Sequence, residues 1–434
     1  MLQKTGLQKT GLEKTGNSLL QKEHKEKPSA AEPGNAFSQR LASIGMVCFY
    51  LGLLLELLIV VVEKSAYTNP LEGQLFRLTF LLFAVKTACS RFTARQWLWM
   101  LFFGVIAGLC YLSSGRDEAV RLVVFCAAFK DVDLKKTLKL AFWVTLSGCA
   151  VLILLALTGI FGNMYIVDDG DRGIRYCFGL GHPNAFYCMF WVLTMLGICL
   201  YHEKMKRYTY LLLAAAGILL FLPTNSRTGV LILFFTLAGS FLLNNCPRLR
   251  EEKWVCALGI AALVLCTGLS IWMAGYEPYQ GPFYPYDKYF TGRITSMNTL
   301  EGGGGILRNW SLFSRPENNK YFDMGYVRLF YWYGVIPGAI YLAMYGLLMR
   351  QAWKRGDHMG FLMLTVFALY SMLEAHFISV YLGRNYALFL MGAYWTQFPG
   401  IRPRQGKQAR EGWFWQIPHM LMGRQKNVRS SLGQ

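Results

Sequence analysis

Apolar residues run down this chain in blocks of about twenty, separated by short polar breaks. An α-helix needs about 20 apolar residues to cross roughly 30 Å of hydrocarbon. By that measure the pattern predicts about twelve spans: 42–62, 71–89, 97–113, 117–130, 138–160, 183–201, 209–223, 229–243, 254–274, 327–349, 360–378 and 382–398. The expected fold is an all-α polytopic membrane protein, with external loops at about 161–182 and 275–326, the larger lying between spans 9 and 10. The fourth span is the shortest, and Arg116, Asp117, Glu118 and Arg121 crowd its start. It is retained because it keeps the charge pattern in phase. With it, the basic stretches Arg91–Arg95, Lys130–Lys139, Lys204–Arg207, Arg248–Lys253 and Arg350–Arg355 all fall on one side of the membrane. Lys and Arg mark the cytoplasmic side, so both termini are expected inside.

The regions flanking the expected membrane domain, 41–398, are polar. Residues 2–16 repeat a pentapeptide three times, Leu-Gln-Lys-Thr-Gly twice and then Leu-Glu-Lys-Thr-Gly. The repeat lacks the periodicity to bury a face, so 1–40 reads as a disordered, basic cytoplasmic tail. Residues 399–434 read as a second basic cytoplasmic tail. No cleaved signal peptide is expected, because the first apolar run is too long and too late.

Composition sharpens this picture. Of 434 residues 54% are hydrophobic and 16% charged, yet the formal net charge is +19. Soluble basic proteins that bind nucleic acid do not carry repeated membrane-length apolar runs, so no nucleic-acid partner is expected. The 11 cysteines lie mostly within apolar runs, with Cys177 in an external loop, which does not make a disulfide framework. Neither a zinc-type Cys/His spacing nor a phosphate or dinucleotide loop is present. No metal and no cofactor is therefore expected.

A second population of positive charge runs against the topology. Arg116, Arg172, Arg175, Arg227, Arg293, Arg308, Arg315 and Arg384 sit at or beyond the outer ends of the expected spans. The guanidinium fork matches phosphate oxygens, which points to an anionic lipid-linked substrate such as a polyprenyl diphosphate. The alternative is that these arginines snorkel to lipid headgroups. Arg227, with Ser226 beside it, interrupts two apolar runs in Pro223-Thr-Asn-Ser-Arg-Thr-Gly229. A charge at that depth is costly and usually marks function, though a tight turn with a snorkelling Arg gives the same pattern. His182, in Gly179-Leu-Gly-His-Pro-Asn184, precedes a helix whose first turn suits Pro183. The helix dipole there disfavours imidazolium, leaving a neutral imidazole able to contact a sugar or act as a base, or simply to cap the helix. Glu374 and His376, in Leu373-Glu-Ala-His376, fall near the outer end of the eleventh span. Glu374 is either an Arg partner or a proton acceptor. Asp323 and Arg328 flank the start of the tenth span, where an ion pair is the plainest reading.

At Gly181-His-Pro-Asn184, Ser226-Arg-Thr-Gly229 and Thr291-Gly-Arg-Ile294 the chain resembles the O-antigen polymerase and ligase superfamily. It is most similar to the polymerases of Gram-positive capsular and exopolysaccharide repeat units. Asp323 through Tyr333-Gly-Val-Ile336 resembles the end of that family's large external loop, and Glu374 resembles its acid near the penultimate helix end. The resemblance covers 40–398. It implies a GT-C-type, metal-independent, inverting glycosyltransferase of the bacterial cytoplasmic membrane, with its active site external. Its donor is an oligosaccharide on undecaprenyl diphosphate. By resemblance the catalytic residues are His182, Glu374 and Arg227. Arg175, Asn184, Ser226, Arg293, Asp323 and Arg328 hold the substrate and its diphosphate. Membrane lipids, and a flippase and a chain-length regulator of the same pathway, are the implied partners. Ligases of the family carry a His in the large loop, and 275–326 has none, which favours a polymerase and leaves the base open between His182, Glu374 and an assisted water. A ligase for another acceptor and a lipid-linked oligosaccharide flippase or transporter remain as alternatives.

Overall fold

The structure is a computed structural model that describes residues 33–65, 67–168, 173–299, 305–375 and 385–397. The chain divides into a short unit, Met1–Leu41, and a large one, Ala42–Gln434. The large unit is a helical bundle. Among the described residues seven helices are long and apolar enough to cross a membrane. They begin with α1 (Pro33–Glu63), whose apolar part is Gln39–Glu63. The rest are α3 (Ala94–Ser114), α5 (Leu134–Leu157), α6 (Pro183–Tyr201), α7 (Arg207–Thr224), α8 (Arg227–Asn245) and α10 (Lys253–Ala274). Between them lie α2 (Glu72–Ala88), α4 (Glu118–Ala128) and the short α9 (Pro247–Glu251). Then follow α11 (Arg293–Asn298), α12 (Gly325–Tyr333), α13 (Val335–Lys354), α14 (His358–Tyr370) and α15 (Ala387–Tyr394).

Local chemistry sets the helix starts. Thr93 accepts from the Gln96 amide while the Gln96 side chain accepts from the Thr93 amide, a reciprocal capping box at α3. Asp133 caps α5 and Asp357 caps α14 through their carboxylates. His182 caps α6, with Pro183 in its first turn. The polar break at 223–229 is a tight connection, with Asn225 in the left-handed region (φ 48°) closing α7 and Arg227 opening α8.

Burial separates inner from outer helices. α6 and α14 are buried along most of their length, and Trp191 of α6 packs edge-on to Phe367 and Tyr370 of α14, with ring centroids 4.9 and 5.1 Å apart. The Trp191 indole donates to Thr236 of α8 at 2.8 Å. α3, α5, α7 and α10 instead expose Leu112, Leu154, Leu222 and Leu265, each at 60% or more. Apolar surface that continuous fits hydrocarbon rather than water.

Five expected spans are not met by one of the seven long apolar helices: the second is the 17-residue α2, and the described part of the twelfth is the 8-residue α15. The fourth is realised as α4, whose 11 residues extend about 16 Å at the α-helical rise. Its apolar stretch carries no further because Asp117 precedes it and Lys130 and Asp131 follow. It still returns the chain across the bundle, since the Lys130 carbonyl accepts from Lys86 Nζ near the end of α2. The tenth is broken into α12 and α13 at Gly334, whose φ of 101° suits glycine. Residues 311–314 lie against the break: Ser314 donates to the Tyr333 carbonyl, and Val335 and Ile336 donate to the Ser311 and Leu312 carbonyls. A Cβ at Gly334 would come within 2.5–2.7 Å of that backbone. The eleventh ends early, at Tyr370, and turns through 371–373 to Glu374. The loop at 161–182 also holds an element the periodicity did not announce. A two-stranded antiparallel hairpin pairs β1 (Tyr165–Asp168) with β2 (Gly173–Tyr176), Ile166 opposite Arg175.

Candidate functional site

Chain direction places the ends of α1, α5, α7, α10 and α14 together with the starts of α6, α8 and α12, at the bundle end away from the Lys130–Lys139 and Lys204–Arg207 stretches. A cavity of about 480 Å³ opens there. Glu63, Lys64 and Ser65 from the end of α1 form one wall, and Gly181, His182, Asn184 and Cys188 from the start of α6 form a second. Tyr321 and Asp323 ahead of α12, with Tyr370 at the end of α14 and Glu374 after it, complete it.

Backbone contacts bring these segments into register. The Gly325 amide donates to the Ser371 carbonyl at 3.0 Å, and a Cβ on Gly325 would meet the Ser371 and Glu374 carbonyls at 2.6 and 2.8 Å. Glycine therefore lets the start of α12 close on the end of α14, setting Asp323 beside Glu374. Gly181, with φ 64°, similarly brings the α6 approach against the Ser65 carbonyl.

Arg293, at the start of α11, joins the two acids. Its Nη2 lies 2.7 Å from Glu374 Oε1, its Nε 3.3 Å from Asp323 Oδ2, and its Nη1 donates to Thr291 Oγ1 at 3.2 Å. Its side chain is 11% exposed against 17% for Glu374 and 35% for Asp323, so the Glu374 contact is the drier and stronger of the two. Opposite, Lys64 Nζ pairs with Glu63 Oε2 at 2.8 Å.

The other sequence-derived candidates occupy three kinds of position. His182 and Asn184 line the cavity, and His182 Nδ1 accepts from the Asn184 amide at 3.1 Å. That bond needs a lone pair on Nδ1, so the neutral ring carries its proton on Nε2. Arg175 is buried behind the wall, donating to Asn184 Oδ1 and to the Thr224 carbonyl, both at 2.9 Å. It thereby ties the hairpin, the α6 start and the α7 end together. Ser226 is buried and Arg227 exposed at the start of α8, and neither is among the residues that line the cavity. Arg328 is 2% exposed; it donates to the Phe322 carbonyl at 2.8 Å and stacks between Tyr321 and Trp332. Expected together, Arg175, Arg227 and Arg293 do not line one cavity. Arg293 is bonded to the cavity's acids, while Arg308 is 72% exposed, 3.7 Å from Glu277. Arg172, His376 and Arg384 lie outside the described residues.

Sequence reasoning missed the Glu63–Lys64–Ser65 wall and the two tyrosines. The signal was the first polar residues after the first apolar run. It also passed over Glu56, set within that run, which binds Arg121 Nη2 at 3.1 Å and accepts from Thr79 Oγ1 at 2.6 Å. Among the described residues no group of three or more His, Cys, Asp or Glu is placed to hold a metal ion. No family model, curated protein or solved structure matches the chain.

Proposed function

We propose that the chain polymerises oligosaccharide repeat units carried on undecaprenyl diphosphate, at the outer face of a bacterial cytoplasmic membrane, to build a capsular or exopolysaccharide. The observation that carries this reading is convergence. Residues from motifs far apart in sequence, at His182 and Asn184, Arg293, Asp323 and Glu374, meet at or behind one polar cavity. In this reading the chain crosses about twelve times, with α4 and the broken α12–α13 pair as short or discontinuous crossings. Both termini are cytoplasmic and the cavity faces out. Non-helical backbone at membrane depth is tolerated when it is buried in protein, as at Gly334.

The chemistry is a displacement at an anomeric carbon. An acceptor hydroxyl oxygen forms the new C–O bond with inversion. The bond to the diphosphate oxygen breaks and takes its electron pair, and the hydroxyl proton passes to Glu374. His182, whose Nδ1 is engaged by the Asn184 amide, presents Nε2 to a substrate oxygen instead. Arg293 and Lys64 supply positive charge for the leaving diphosphate, where fixed donors in a shielded site act most strongly. Arg227 guides the lipid diphosphate from the surface of α8, and Arg175 with Ser226 holds that corner of the site in place.

The test is made in cells whose polymer is visible as a ladder. Arg293→Ala and Arg227→Ala are expected to insert normally, to abolish chain growth and to leave single repeat units on the lipid. Arg293→Lys, keeping charge without the fork, is expected to retain partial growth. Full-length polymer from both alanine variants would exclude the reading. A ligase would join preformed glycan to another acceptor without lengthening it, and a flippase would move lipid-linked units without forming any glycosidic bond.

A further inference from the structure

Residues 318–323 form a strap outside any helix that reaches the cavity at Tyr321 and Asp323, and its carbonyls are gripped at every second position. Arg116 Nη2 donates to the Asn318 carbonyl at 3.3 Å, the Trp332 indole to the Lys320 carbonyl at 3.1 Å, and Arg328 Nη1 to the Phe322 carbonyl at 2.8 Å. The same three side chains stack. Arg116 lies 3.9 Å from the centre of the Trp332 ring, Arg328 lies 4.4 Å from that ring on its own account, and Arg328 lies 4.1 Å from the Tyr321 ring. Burial alternates here, with 318 and 322 inside and 319 and 321 outside. Holding the carbonyls of 318, 320 and 322 fixes the backbone that puts Tyr321 and Asp323 on the cavity. Asn318 and Phe322 are buried, whereas Tyr321 is 59% exposed. The backbone around this exposed ring is thus held by two arginines and a tryptophan that are themselves mostly out of water, and one of the arginines, Arg328, also stacks on the ring.

We propose that Tyr321 is a stacking platform for a pyranose ring of the bound glycan. This rests on the reading of the cavity as a glycan site. A pyranose has a face of C–H bonds with partial positive charge, which suits the negative face of an aromatic ring. Its rim carries hydroxyls, and the cavity sets hydrogen-bond acceptors around the platform in Glu63, Asp323 and Glu374 and an amide in Asn184. A phosphate or an acyl chain needs no such combination of a flat apolar face with a ring of carboxylates. Arg328 and Trp332 act as positioning residues, through Tyr321 and the strap.

The test uses the purified full chain in detergent and two probes. One is the undecaprenyl-diphosphate-linked repeat unit extracted from cells lacking this chain, and the other is undecaprenyl diphosphate alone. Tyr321→Ala is expected to weaken binding of the first roughly tenfold and to leave the second within about twofold. Tyr321→Phe, which keeps the ring face, is expected to match the wild type for both. The exposed position makes a folding defect in Tyr321→Ala unexpected, and an unchanged melting temperature checks it. Wild-type affinity of Tyr321→Ala for the glycan-bearing lipid overturns the platform and leaves the polymerase reading standing. Equal losses for both probes also overturn it, since the residue would then serve the lipid end. A wild-type chain that binds the glycan-bearing lipid no better than undecaprenyl diphosphate contradicts the glycan site itself.

Discussion

Glu374 and Arg293 carry the most weight among single residues. At 2.7 Å and largely out of water, the Arg293 guanidinium fixes the Glu374 carboxylate at the cavity wall. Glu374→Gln keeps the size and a hydrogen bond to Arg293 while removing the proton acceptor. The expected result is a fall in polymerisation rate of about 10²–10⁴-fold with only a small change in melting temperature. Near-normal rates would move the base elsewhere. His182 separates two roles that coincide in one side chain. His182→Asn preserves the helix cap and removes the ring, so rates should fall while stability holds. His182→Ala should in addition cost about 1 kcal/mol of stability. Burial pushes the Cys177 thiol above its usual range, with its Sγ donating to the Asn163 carbonyl. Cys177 should resist maleimide until the protein is denatured. The sequence made His182, Asn184, Arg293, Asp323 and Glu374 legible, because polar residues at the ends of apolar runs are few. It did not show that Arg175 and Arg328 are buried in hydrogen bonds, because an Arg that binds a ligand and one that braces a loop read alike until the fold places them.

At the scale of elements, the short helix α4 and the break at Gly334 decide how the bundle closes. Arg121 of α4 is 6% exposed and Glu56 of α1 is 1% exposed, and their ion pair, with Thr79 of α2 as a further donor, locks three helices at one depth. Removing one partner of a buried pair strands the other. Arg121→Ala is therefore expected to cost about 3–5 kcal/mol, read as a lowered melting temperature in detergent. Glu56→Ala should cost a similar amount, and the double variant less than the sum. Additive losses would show that the pair is not coupled. The seven long apolar helices were legible because twenty-residue runs are a strong signal. The α12–α13 break was not, because Gly334 in an aromatic run looks like any other small residue. What demands it is the approach of residues 311–314, a long-range contact that periodicity does not carry.

Across the whole molecule, the charge of +19 divides by position. The Lys and Arg stretches between the helices gather at the bundle end away from the cavity. Several cavity-end arginines are tied into specific bonds, Arg175 to Asn184, Arg293 to two acids, and Arg116 and Arg328 to the strap. The separation of the two ends is what the helix order imposes. The central claim is therefore that this cavity joins lipid-linked repeat units. Its most direct test is reconstitution of the purified chain in liposomes that contain undecaprenyl-diphosphate-linked repeat units as the only glycan, followed by separation of the lipid-linked products by size. The account predicts a ladder of multiples of the repeat unit, absent with Glu374→Gln and Arg293→Ala. Single units that stay single with the wild-type chain, whether or not they cross the bilayer, would contradict it.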